Sequence, residues 1–142
     1  MPYITRQKFN LSELTDKTSP VRHILLLEPE EYRLGIYIQE LLKQNFMPIG
    51  VRTVDALHKN ISNSSPHLLV VSSEIYPHIR QSMELVKSLK NSFPLLPMVT
   101  IGYNLSPDDL RSLLSAGVEG HIDRRFSRPA DLAQVVSAVL QN

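Results

Sequence analysis

Short apolar runs alternate with longer stretches of helical period along most of the chain. His23 to Leu27 is a compact apolar run whose length and flanks predict a buried strand. From Glu30 to Gln44, the residues Leu34, Ile38, Leu41 and Leu42 recur at helical spacing and predict a helix with one apolar face. Pro48 to Val54 reads as a second strand, weakened by Pro48 and Gly50. Asp55 to Ile61 reads as a short second helix, and Asn63-Ser64-Ser65-Pro66 as a turn. His67 to Val71 is the strongest strand signal. Its Leu68-Leu69-Val70-Val71 core is apolar on both faces, as a strand inside a parallel sheet must be. Pro77 to Asn91 predicts a third helix with Met83, Val86 and Leu89 aligned, Phe93 to Pro97 a proline-bounded loop, and Met98 to Ile101 a fourth strand.

Ser106-Pro107-Asp108-Asp109 opens a fourth helix. Serine suits the capping position, proline the first helical position, and the aspartates the positive end of the helix dipole. Ala116-Gly117 closes it, with glycine where a left-handed cap is expected. Glu119 to Asp123 is the fifth strand, and Pro129 to Leu140 the last helix, with Leu132, Val135, Val136 and Val139 inward. This alternation implies right-handed crossovers and a sheet covered on both faces. The expected fold is α/β and flavodoxin-like, a doubly wound five-stranded parallel sheet of order 2-1-3-4-5. In such folds ligands bind beyond the carboxyl ends of the strands, here at Glu28 to Glu30, Ser72 to Ile75, Gly102 to Asn104 and Arg124 to Phe126.

Residues 1–20 are polar and mixed. They read as an N-terminal extension or linker, in which Leu11 to Leu14 offers one helical turn and Ser19-Pro20 ends the segment. The domain itself spans residues 21–142. The 142 residues are 42% hydrophobic, enough for one core. There is no cysteine, so neither a disulfide framework nor a thiolate metal site can form. A net charge of +1 supplies no global field for nucleic acid or an anionic membrane. The N-terminus lacks a signal-peptide pattern, and the densest apolar runs are too short to cross a bilayer. The sequons at Asn10, Asn60, Asn63 and Asn104 are read as chance. The chain is expected to be cytoplasmic.

Three places together suggest a family. Ile24-Leu25-Leu26-Leu27-Glu28-Pro29-Glu30 is an apolar strand ending in acid. Pro66-His67-Leu68-Leu69-Val70-Val71-Ser72 is a second apolar strand, ending in serine. Leu113-Leu114-Ser115-Ala116-Gly117-Val118 runs on through Gly120-His121-Ile122-Asp123-Arg124-Arg125-Phe126. From Val21 to Leu140 the chain resembles the CheY-like receiver domains of two-component response regulators. That resemblance implies a Mg²⁺ site of two carboxylates after the first strand, an aspartate nucleophile after the third, a hydroxyl after the fourth and a lysine after the fifth. Here those positions are Glu28 and Pro29, Ser72, Gly102, and Arg124. A serine cannot form an acyl phosphate, glycine offers a phosphoryl oxygen nothing, and arginine changes reach and geometry. Arg125 replaces a proline, so the family's cis peptide is not expected, and His121 holds the position of the family's switching aromatic. The pattern is that of a pseudo-receiver with a degenerate phosphorylation pocket, in which Glu28 and Arg124 are expected to pair across Ser72.

By the same resemblance, a protein partner or a second copy should bind the face near Tyr103, Leu110, Leu113, Leu114, His121 and Val135, although some of these leucines must be core. His23, His58, His67, His78 and His121 show no metal spacing, and neither a metal nor a cofactor is expected. Arg124, Arg125 and Arg128 beside Phe126 form a basic cluster too small for nucleic acid. No nucleophile–base pair or glycine-rich motif points to an enzyme, and nothing after Leu140 reads as an output segment. The leading expectation is a phosphorylation-independent interaction module in two-component-type signalling. The alternatives are a response regulator with a divergent acceptor site and a small-ligand binder using the emptied pocket.

Overall fold

The Leu68-Leu69-Val70-Val71 run lies fully buried at the centre of a five-stranded sheet. The structure, a computed structural model, describes residues 21–141, so the expected extension over residues 1–20 lies outside the described residues. Strands β1 (His23–Leu27), β2 (Met47–Val51), β3 (Leu68–Ser72), β4 (Met98–Gly102) and β5 (Gly120–Asp123) alternate with helices α1 (Glu31–Lys43), α2 (Val54–Ser64), α3 (Ile79–Ser92), α4 (Pro107–Ser115) and α5 (Pro129–Leu140). All four strand pairings are parallel, in the order β2-β1-β3-β4-β5 expected from the alternation.

Period-2 alternation along the strands divides the core in two. Ile24, Leu26, Val70, Val99 and Ile101 face α1 and α5, against Leu34, Tyr37, Leu41, Leu132 and Val136. Leu25, Leu27, Leu69, Val71 and Met98 face the other layer, against Leu57, Ile61, Val86, Leu89 and Leu113. Leu42, expected on the apolar face of α1, is instead exposed, because Tyr37 and Leu41 complete that face. The second strand ends at Val51 and not at Val54, since the Thr53 hydroxyl accepts from Ala56 N–H (3.1 Å) and starts α2 there. Pro48 is tolerated because β2 is an edge strand.

The termini of α4 follow the sequence signals. Ser106 Oγ accepts from Asp109 N–H at 3.1 Å. Gly117 adopts φ 104°, and Val118 N–H reaches back to the Leu113 carbonyl (3.2 Å), which closes the helix and directs the chain into β5.

Candidate functional site

The carboxyl edge of the sheet is built around Glu28. Its N–H donates to the Val51 carbonyl (3.0 Å), which holds it as a continuation of β1, and its carboxylate is fully buried. Oε2 accepts from Glu30 N–H (2.9 Å) and from Arg33 Nη2 (3.3 Å), while Oε1 has no hydrogen-bond partner. Glu30 caps α1 by accepting from Tyr32 N–H (3.2 Å) and Arg33 N–H (2.9 Å), and these backbone bonds lower its pKa. The cap fixes the first turn of α1, and with it Arg33. From there the Arg33 guanidinium reaches both Glu28 and Glu74 Oε1 (3.4 Å). Glu74 Oε1 also accepts from Arg124 Nη2 at 2.6 Å, and the Arg124 guanidinium lies 5.0 Å over the Tyr103 ring. Burial opposes the Arg33 charge, but Glu28 and Glu74 outweigh it and raise its pKa.

The expected direct pair between Glu28 and Arg124 is therefore not formed. Arg33 and Glu74 stand between them, in a chain Glu28–Arg33–Glu74–Arg124. Arg33 wins because α1 starts immediately beside Glu28, whereas Arg124 leaves the sheet on the far side of β3 and β4. Arg33 was not among the expected site residues, and Glu74 lay within the expected Ser72 to Ile75 segment without a role of its own. A signal for Arg33 exists in the sequence: a cation in the first turn of a helix opposes the dipole, and so calls for carboxylate partners.

Ser72, the last residue of β3, is buried, and its hydroxyl accepts from Glu74 N–H at 3.1 Å. Pro29 offers no side-chain oxygen, and its carbonyl accepts from Arg52 Nε (3.0 Å). Mg²⁺ requires several hard oxygen ligands. Of the carboxylates at this edge, Glu28 and Glu74 already carry guanidinium groups and Glu30 accepts two backbone N–H groups, so the donor set does not fit that ion. Among the described residues no group of three His, Asp or Glu side chains is placed to hold a metal.

Gly102 ends β4 in a tight place. A Cβ there would stand 2.9 Å from Ser73 Oγ, 3.0 Å from His121 Cε1 and 3.2 Å from Leu105 Cγ. Gly102→Thr, which would restore a hydroxyl at this strand end, is expected to cost about 2 kcal/mol by overpacking, read as a lower denaturation midpoint with unchanged slope. His121 Nδ1 lies 2.7 Å from Thr100 Oγ1, and burial lowers the histidine pKa against a smaller opposing pull from Asp123.

The basic cluster is largely neutralised. Arg125 pairs with Asp123 (2.8 Å) and lies 4.5 Å over the Phe126 ring, and Arg128 stands 3.7 Å from Asp131. Hydrogen bonds from the Arg125 side chain and N–H hold Asp123 well below the usual carboxylate range. No cis peptide occurs among the described residues. Of the expected interaction face, Tyr103 and Leu114 are exposed, and Leu110 and His121 are half-buried. Leu113, at 1% exposure, is a correction: it packs into the core beside Leu89 and Met98, one helical step from its exposed neighbour. Val135 is another, since it packs against the core under α5 and its methyl lies over Gly120.

No protein-family model matches the chain, and no curated protein matches it in sequence. Solved structures do match its fold. A response regulator from Thermotoga maritima superposes with a TM-score of 0.76 at 15% identity, over 86% of this chain and 99% of that one. A CheY-like response regulator receiver domain protein from Methanospirillum hungatei gives 0.75 at 17% identity, over 85% and 94%. A structure described as an atypical orphan response regulator with a phosphorylation-independent regulatory mechanism gives 0.72 at 15% identity, over 84% and 95%. The fold is that of response-regulator receiver domains. No helix among the described residues is long and apolar enough to cross a membrane.

Proposed function

We propose that this chain is a pseudo-receiver: a cytoplasmic, non-enzymatic module of two-component-type signalling that acts by binding protein and not by accepting phosphate. Residues 1–20 serve it as an extension, and residues 21–142 form the receiver-like unit. The observation that carries the reading is the ion-pair chain Glu28–Arg33–Glu74–Arg124, which engages the one buried carboxylate of the edge with a guanidinium. Ser72, Pro29 and Gly102 add no acid, no second carboxylate and no switching hydroxyl beside it. An active receiver is a two-state element biased by the phosphoryl group. Cross-linking by two arginines favours a single arrangement and leaves the surface to do the signalling. The fold match to an atypical orphan regulator described as phosphorylation-independent supports the same direction.

The binding face lies around Tyr103 and Leu114, with Leu110 and His121 beside them. Its exposed apolar side chains suit a protein partner, and a second copy of the chain is the partner that can be tested at once. In sedimentation velocity the protein should self-associate to the same extent with and without acetyl phosphate and Mg²⁺, and Leu114→Glu should shift it to monomer. Association that appears only with the phosphodonor, or that Leu114→Glu leaves untouched, contradicts the reading.

A further inference from the structure

Between the first turns of α1 and α5, beside the ion-pair chain, lies a cleft of about 180 Å³. Arg33, Arg124 and Arg128 are among the residues that line it, together with Tyr37. Ile36, Ile122 and Leu132 supply its apolar wall. Two features of this corner lack an internal explanation. Arg33 Nε and Arg124 Nε are both buried without an acceptor, and a buried donor left unpaired calls for a partner. Arg128 meets Asp131 only at 3.7 Å, while that carboxylate is engaged with the Arg128 N–H at 2.8 Å. Burial, followed by the field of Glu28, raises the Tyr37 pKa, and a tyrosine hydroxyl is a donor at neutral pH with or without that shift.

Size and charge narrow the occupant. The volume equals roughly six waters, well below that of a nucleotide or drug-sized ligand. The three arginines are balanced by Glu28, Glu74 and Asp131, so the corner has no surplus charge for a polyanion. A guanidinium fork matches a planar carboxylate, and the isoleucine and leucine wall matches a compact hydrocarbon. We propose that this cleft binds a small organic acid, a single carboxylate on a compact apolar body. The inference shares Arg33 and Arg124 with the ion-pair chain of the pseudo-receiver reading but concerns a cleft under α1 and α5 and not the acceptor position, so benzoate binding can fail while the protein still takes no phosphate.

The test is a ¹H–¹⁵N titration of the full-length protein with benzoate, followed at the arginine Nε–H and backbone signals. Benzoate should shift Arg33 and Arg124 Nε–H and the Ser127 and Arg128 amides saturably. Benzyl alcohol, which lacks the charge, and inorganic phosphate, which lacks the apolar body, should not. Arg128→Ala should weaken binding roughly tenfold, the worth of one charge-assisted hydrogen bond. Ile36→Trp should block binding by filling the apolar side, with the amide spectrum of the distant β2 and α3 retained as the check on folding. Shifts that fail to saturate, that either control reproduces, or that persist unchanged in both variants overturn the proposal.

Discussion

Arg33→Met is expected to lower the unfolding free energy by about 2 to 3 kcal/mol, because it strands a buried carboxylate. Glu28 is fully buried and has Arg33 as its charged partner, whereas the Arg33 side chain is 29% exposed. That exposure lets water reach the pair and keeps the expected cost at or below the low end of what breaking a fully buried pair incurs. Glu28→Gln should cost less, about 1 kcal/mol, since its amide oxygen can still accept from Glu30 N–H and Arg33 keeps Glu74. The double variant should then lose less than the two single losses together, because removing both charges leaves neither unpaired. Denaturant titrations of the four proteins supply the cycle. Strict additivity would mean that Arg33 and Glu28 are neighbours without being partners.

The second large effect separates two adjacent leucines. Leu113→Ala should cost about 3 kcal/mol, since Leu113 is 1% exposed and its loss leaves a cavity between α4 and the second core layer. Leu114→Glu should change stability by less than about 0.5 kcal/mol, because Leu114 is 52% exposed. The contrast keeps the self-association experiment interpretable: a monomeric Leu114→Glu protein will still be a folded one. Equal losses at the two positions would mean that α4 is rotated from the orientation described.

The fold was legible because each level of the sequence pointed the same way. A strand buried on both faces has to be apolar throughout, so Leu68 to Val71 announced both the centre of the sheet and its parallel pairing. Ser106, Pro107 and Gly117 marked the ends of α4 by chemistry that acts within a few residues, and Pro129 to Leu140 matched α5 at both ends. The places that misled were those decided by distant contacts. Leu42 and Leu113 are equally apolar in sequence, yet one is exposed and one is core, because helix rotation against the sheet is set by the whole layer. At the carboxyl edge the sequence showed which groups stand at Glu28, Pro29, Ser72, Gly102 and Arg124. It did not show which cation reaches Glu28. Strand order places Arg124 three strands beyond β1, while the Glu30 cap brings Arg33 within 3.3 Å. That choice is three-dimensional, and only the helix-dipole conflict at Arg33 hinted at it.

Incubation with acetyl phosphate and Mg²⁺, followed by intact-mass measurement, bears most directly on the claim that this receiver fold signals without phosphate. The wild-type protein should keep an unchanged mass under conditions that label a working receiver fully. A stoichiometric, base-labile gain of one phosphoryl group would contradict it.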